Sequence, residues 1–227
     1  MGKGNSDTRR SRVLFDLDGT LTDPFPGITG SIRYALERMG APVPEADALR
    51  WCIGPPLPGS FALMLGTEDT DTLDRAVGFY RERFSDTGLF ENVVYDGIPE
   101  MLEDLISDGF SLYLATSKPL VYASRIVTYF GLQRYFAGLY GSELDGTRAE
   151  KTALLAHVLD REGIAPQDAV MIGDRKHDLI GARANGVTCI GVTYGYGARA
   201  ELEAEGPCAL ADTPEDVGVQ VRAWAVS

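Results

Sequence analysis

Residues 12–23 read RVLFDLDGTLTD, and the placing of two charges within them decides the fold. Val13, Leu14, Phe15 and Leu17 are the apolar residues of a buried strand, yet Asp16 interrupts them and Asp18 follows before a turn at Gly19. A carboxylate resists leaving water, and two at this spacing repel each other. Aspartates do cap turns, but a cap does not require one inside the dry end of a strand. The pattern asks for something positive between the two carboxylates.

Downstream the pattern turns helical. FPGITGSIRYALERMG carries Ile28, Ile32, Ala35, Leu36 and Met39 at helical spacing and stops at Gly40. DTLDRAVGFYRERFSDTG repeats the spacing through Leu73, Val77, Tyr80 and Phe84 and stops at Gly88. Between them CIGPPLPGSF, with three prolines and two glycines, predicts an irregular loop. From about residue 92 helices and strands alternate: GIPEMLEDLISDG (helix), FSLYLATSK (strand), PLVYASRIVTYFGL (helix), FAGLYGSE (short strand), RAEKTALLAHVLDREG (helix), DAVMIGDR (strand) and KHDLIGARANG (helix). A strand with a glycine-rich loop, VTCIGVTYGYG, and a weak strand and helix over 208–223 finish the chain. Such alternation predicts an α/β fold, a Rossmann-like parallel sheet covered by helices on both faces. Residues 12–23 and 91–227 then form the core, and 24–90 an inserted helical cap domain.

In an open parallel sheet, ligands bind beyond the carboxyl ends of the strands. Asp16 and Asp18 after VLF, Thr116 and Ser117 after LYLA, and Asp174 after VMIG would meet there, with Lys118 and, at a helix start, Lys151. Hard carboxylate oxygens suit Mg²⁺, which relieves their repulsion and bridges to phosphate. One carboxylate can attack phosphorus, splitting hydrolysis into two steps through an aspartyl-phosphate. The other can protonate the leaving oxygen and then activate water, provided its pKa is raised toward neutrality. Lysine and hydroxyl donors would hold the phosphoryl oxygens.

In this order DLDGTLTD, TSK, a lone lysine opening a helix, and GDRKHD resemble the four motifs of the haloacid dehalogenase superfamily. The branch they are most similar to is that of phosphatases with a helical cap after the first motif, such as phosphoglycolate phosphatases and 5′-nucleotidase-like hydrolases. The resemblance spans nearly the whole chain from about residue 12. It implies that Asp16 is the nucleophile and a Mg²⁺ ligand, and that Asp18 is the general acid/base with its backbone carbonyl on the metal. It implies that Thr116 and Lys151 bind the phosphoryl group, that Asp174 completes the metal site, and that Asp178 supports it one turn along the helix. Thr20, Ser117 and Lys118 are candidate substrate contacts from the core. Arg50 and Ser60 are candidates from the cap, whose proline-rich loop is expected to present part of the selecting surface.

These assignments have plainer rivals. Asp174 and Asp178 suit a helix N-terminus simply as charges, and Lys118 reads equally as a site lysine and a solvated one. On its helix His177 points away from both aspartates, and His157 lies on a packed face, so neither is read as a ligand. YGYG, 194–197, reads as a turn after a strand or as the rim of the site. For function, a β-phosphoglucomutase-like sugar phosphomutase would use the same intermediate. A receiver-type signalling module or a non-catalytic binding protein are rivals of another class.

Composition narrows the field. The chain has 227 residues, 33 acidic against 21 basic, for a net charge of −12. That argues against a nucleic-acid or anionic-membrane surface and leaves a small-molecule phosphate ester as the expected partner of a monomer or homodimer. Three scattered cysteines suit a reducing cytoplasm better than a disulfide framework or a zinc site. The basic start MGKGNSDTRRSR leads into too few apolar residues for a signal peptide. It reads as a flexible leader despite fitting a myristoylation pattern.

Overall fold

Strand β1 (Arg12–Phe15) lies at the centre of a six-stranded sheet, paired in parallel with β4 (Ser111–Pro119) on one side and β6 (Ala169–Gly173) on the other. Beyond β4 lies β5 (Phe136–Ser142); beyond β6 lie β7 (Thr188–Val192) and β8 (Ala209–Ala211), giving the order β5-β4-β1-β6-β7-β8. The computed structural model describes residues 11–227. The leader MGKGNSDTRR, with its myristoylation-like start, falls outside the described residues.

Alternation along β1 explains why its apolar run is continuous. Val13 and Phe15 enter one apolar cluster with Leu112, Leu114, Val170 and Ile172, whereas Leu14 enters another with Tyr113, Ala115 and Met171. A strand buried on both faces cannot alternate apolar with polar residues. The first face is covered by α4 (Ile98–Ser107), α5 (Leu120–Tyr129) and α9 (Pro214–Ala225). The second is covered by α6 (Lys151–Glu162), α7 (Lys176–Ala184) and the short α8 (Arg199–Glu203). In register, Phe15 stands beside Leu114 and Ile172. Asp16, Thr116 and Asp174, which follow, therefore emerge along one edge of the sheet.

The segment between β1 and α4 is helical, as its periodicity predicts: α1 (Phe25–Met39), a 3₁₀ segment (Ala46–Cys52), α2 (Leu57–Leu65) and α3 (Thr70–Arg83). α1 ends at Gly40 with φ 69°, the left-handed conformation that glycine adopts without strain. α3 continues into one π turn, Phe84–Gly88. Two features differ from the sequence reading. CIGPPLPGSF is irregular only in part, because α2 begins inside it at Leu57; Pro58 falls in the first turn, where a missing N–H costs nothing. A short antiparallel ladder, β2 (Thr22–Asp23) with β3 (Val93–Val94), ties the entry and exit of the helical segment together. Two residues per strand are too few for a periodic signal. The helical segment has no core of its own: Phe61, Val77, Tyr80 and Phe84 belong to the same apolar cluster as Phe15 and Leu114.

Candidate active site

Two strand ends and two helix starts converge on one point. The Asp16 amide donates to the Ile172 carbonyl at 3.0 Å, holding the end of β1 against β6, whose following loop carries Asp174. Asp178, in the first turn of α7, accepts from the Arg175 amide at 3.1 Å. Carboxylate oxygens of Asp16, Asp174 and Asp178 lie within 4.8 Å of one another, and all three residues are buried. Lys151 reaches them from the start of α6. Its Nζ is 3.1 Å from Asp16 Oδ1 and 2.8 Å from Asp178 Oδ1, and it donates to the Ala115 carbonyl at 2.9 Å. Asp18 turns the other way and pairs with Lys118 Nζ at 2.8 Å.

Two of the three carboxylates thus share one ammonium, and Asp174 has none. Burial works against the Lys151 charge, but Asp16 and Asp178 outweigh it and hold its pKa above the ordinary lysine range. Burial lifts Asp178 to about 6 against the pull of Lys151, with Asp16 adding repulsion. Burial also drives Asp174 well above the ordinary carboxylate range, helped by Asp178 and Asp16. At Asp18 burial raises the pKa and Lys118 opposes it. The deficit of positive charge is plainest at Asp174. Its Oδ2 accepts from the Tyr196 amide at 2.7 Å, but its Oδ1 is buried without a hydrogen-bond partner and has no lysine beside it. An orphaned carboxylate oxygen among other carboxylates is the donor set of a hard divalent cation, so these residues fit Mg²⁺.

The YGYG loop does more than turn. Gly195 lies so close to Asp174 and to the Gly19 carbonyl that an added Cβ would overlap both, and a Cβ on Gly19 (φ 78°) would overlap the Asp174 carboxylate. Tyr194 Oη donates to the Thr20 carbonyl at 3.0 Å, and Tyr196 Oη donates to Asp23. The loop therefore wraps Asp174 and is fastened at both ends to the first motif. Hydrogen bonds over so many residues of sequence leave no local pattern, which is why the sequence reading left the loop's role open.

Beyond Asp16 and Asp18 a cavity of about 580 Å³ opens toward the helical segment. Thr116, Ser117 and Lys118 line it from the core. The ammonium of Lys118, paired with Asp18, also lies 4.9 Å from the centre of the Phe84 ring. Phe84 stacks on Tyr80 with ring centres 5.0 Å apart. Arg50 and Ser60 are not among the residues lining the cavity. Arg50 is exposed, paired with Asp47 at 3.1 Å and laid over the Phe25 ring. Ser60 is buried beside Cys52 because α2 turns it inward, leaving Gly54 to Pro58 to face the cavity. Thr20 is likewise buried and not among the residues lining the cavity. His177 is half-buried with its pKa lowered by burial and by Arg175 and Lys176, and His157 meets Tyr140 edge to face. Arg175, which the sequence did not single out, donates to the Ile53 carbonyl at 2.5 Å and to Glu201 at 3.0 Å, linking the Asp174 loop to the helical segment.

Residues 13–192 match the family model described as haloacid dehalogenase-like hydrolase. The chain belongs to this family. A 5′-nucleotidase of Pseudomonas aeruginosa is 53% identical over 199 residues, covering 88% of this chain and 90% of its own. Tyrosine-protein kinase PtkA of Mycobacterium tuberculosis is 42% identical over 186 residues, 82% of this chain but only 62% of that protein. Among solved structures, a predicted phosphatase from Clostridium acetobutylicum superposes with a TM-score of 0.90 at 40% identity, covering 94% of this chain and 98% of that one. Membership of the haloacid dehalogenase-like hydrolases, with these relatives, makes the chain a phosphatase. Among the described residues, no helix is long and apolar enough to cross a membrane.

Proposed function

We propose that this phosphatase hydrolyses small phosphomonoesters, nucleoside 5′-monophosphates first among them, with Mg²⁺ as cofactor and an aspartyl-phosphate intermediate. The observation that carries the reading is the divergence of the two aspartates of one motif, Asp16 into the Lys151–Asp174–Asp178 cluster and Asp18 toward Lys118. In this reading an Asp16 carboxylate oxygen attacks phosphorus and the ester P–O bond breaks. Asp18, whose raised pKa suits a proton carrier, gives its proton to the leaving oxygen. Water then attacks the aspartyl-phosphate, losing a proton to Asp18 and releasing phosphate and free Asp16. Thr116 and Lys151 hold the phosphoryl oxygens, and Lys151 also fixes Asp16 in place. Asp16, Asp174 and Asp178, with the Asp18 carbonyl, would hold Mg²⁺, which supplies charge screening between carboxylates and phosphate. The helical segment acts as the cap over the cavity.

The nucleotide preference comes from the Pseudomonas relative, with phosphoglycolate as the competing substrate. The test is phosphate release from a panel of nucleoside monophosphates, phosphoglycolate and sugar phosphates, with Mg²⁺ and with excess chelator. Turnover on a nucleotide that vanishes with chelator is expected. Full turnover in chelator would end the metal assignment, and conversion of a glucose phosphate into its isomer would favour the mutase.

A further inference from the structure

One face of α3 borders the cavity. Asp74, Val77, Gly78 and Arg81 all line it, the i, i+3, i+4 and i+7 positions of a single helical stripe. Gly78 stands in the middle of that stripe, inside a 14-residue helix, where glycine is among the residues that destabilise a helix most. Its backbone does not require glycine, since its φ is not positive. Nor does packing, since beyond the adjoining helix backbone no atom lies within 4 Å of where a Cβ would stand. Gly78 is exposed, and what lies in front of it, on the side that borders the cavity, is open space.

The same part of the cavity is bordered by Glu143 and Asp145, from the segment after β5 that Arg81 ties to α3 through the Leu144 carbonyl. With Asp74, three carboxylates outside the catalytic cluster border this space, Glu143 among them paired with Arg148. Of the two cations that line it, Lys118 is ion-paired with Asp18, while Arg81 donates to the neutral Leu144 carbonyl and keeps its charge against those of Asp74 and Asp145. An anionic leaving group would be repelled there, while hydroxyl and amino groups would find acceptors.

Resting on the phosphomonoesterase reading above, we infer that Gly78 is a specificity-determining residue. Its missing side chain leaves the groove in which the leaving group lies, and the bordering carboxylates favour an uncharged, hydrogen-bond-donating group such as a nucleoside over an acid such as glycolate.

The test compares kcat/KM on a nucleoside 5′-monophosphate with kcat/KM on acetyl phosphate, whose leaving group is too small to reach α3. For Gly78→Leu the nucleotide-to-acetyl-phosphate ratio should fall roughly tenfold or more, and Tm should rise because leucine favours helix. An unchanged ratio, or equal loss on both substrates, overturns the inference. Gly78→Ala, which adds only one methyl group, gives the same reading with a smaller fall if the leucine variant does not fold. If the wild type cleaves acetyl phosphate but no nucleotide, the nucleotide reading fails by itself. The same ratio with p-nitrophenyl phosphate in place of the nucleotide then tests Gly78 alone. For the charge preference, Asp74→Asn combined with Asp145→Asn should raise kcat/KM on phosphoglycolate about threefold at low salt; no rise removes that half of the inference.

Discussion

Asp174→Asn should make the metal-free protein more stable while removing its response to Mg²⁺. In the wild type Asp174 is 1% exposed, receives one hydrogen bond, and is repelled by Asp178 and Asp16. Its folded pKa is raised above the unfolded value of 3.8, so the folded chain binds the proton more tightly than the unfolded chain does. Stability of the metal-free wild type must therefore fall as pH rises from about 4 through the raised pKa. The amide keeps an oxygen for the Tyr196 amide and offers the neighbouring carboxylates an N–H in place of a negative charge. Relieving one buried, unpaired charge is worth about 1–3 kcal/mol, or roughly 2–12 °C in Tm for a chain of this size at 2–4 °C per kcal/mol. Thermal unfolding at pH 8 in chelator should show that gain, shrinking toward pH 4. Mg²⁺ at about 100 times its Kd should stabilise the wild type by about 2.7 kcal/mol and the variant far less. A variant less stable than wild type in chelator, or equally stabilised by Mg²⁺, would refute both the charge deficit and the cation site.

Asp16→Asn should abolish turnover, read as phosphate release, with its far-UV circular dichroism unchanged; appreciable residual activity would sink the covalent route. Asp18→Asn should lower kcat by a factor on the order of 10² to 10⁴ through loss of the proton carrier, with burst kinetics on an aryl phosphate as the check. Gly195→Ala should cost several kcal/mol in urea unfolding and most of the activity, since the methyl group would overlap Asp174 and the Gly19 carbonyl. Arg50→Ala should change kcat/KM by less than about twofold on nucleotide and aryl phosphate alike, because Arg50 is exposed and paired with Asp47 away from the cavity.

The core of the site was legible because each part of it is written in consecutive residues. A strand ending in aspartate is a local pattern, and the parallel-sheet rule then gathers Asp16, Thr116 and Asp174 without any knowledge of contacts. Lys151 and Asp178 needed the motif order as well, since a lysine or aspartate at a helix start is otherwise common. Neither Arg50 nor Ser60 lines the cavity, for two local reasons: Arg50 falls in the 3₁₀ segment and pairs with Asp47, and three prolines suggested loop where α2 begins at Leu57 and turns Ser60 inward. Lys118 stood undecided because its partner, Asp18, is 100 residues away. Contacts between residues 22 and 122 positions apart likewise hid the hold of Tyr196 on Asp174 and that of Arg175 on Ile53.

The ladder of Thr22–Asp23 with Val93–Val94 has a mechanical meaning. Both connections to the helical segment run through one ribbon two residues long, and Thr22 at its root is bridged to Asp18. Paired strands resist being pulled apart but twist readily. Any swing of the helical segment about that ribbon would have to break the apolar cluster it shares with the sheet and the bond from Arg175 to Ile53, with displacement growing with distance from the pivot. Near the aspartates such a swing produces almost no travel, while at Asp74, Arg81 and Leu144 it opens an aperture, and the bond from Arg81 to Leu144 must break as it does so. A pivot placed at the root of the first motif would leave the spacing of Asp16 and Asp18 unchanged by such a swing.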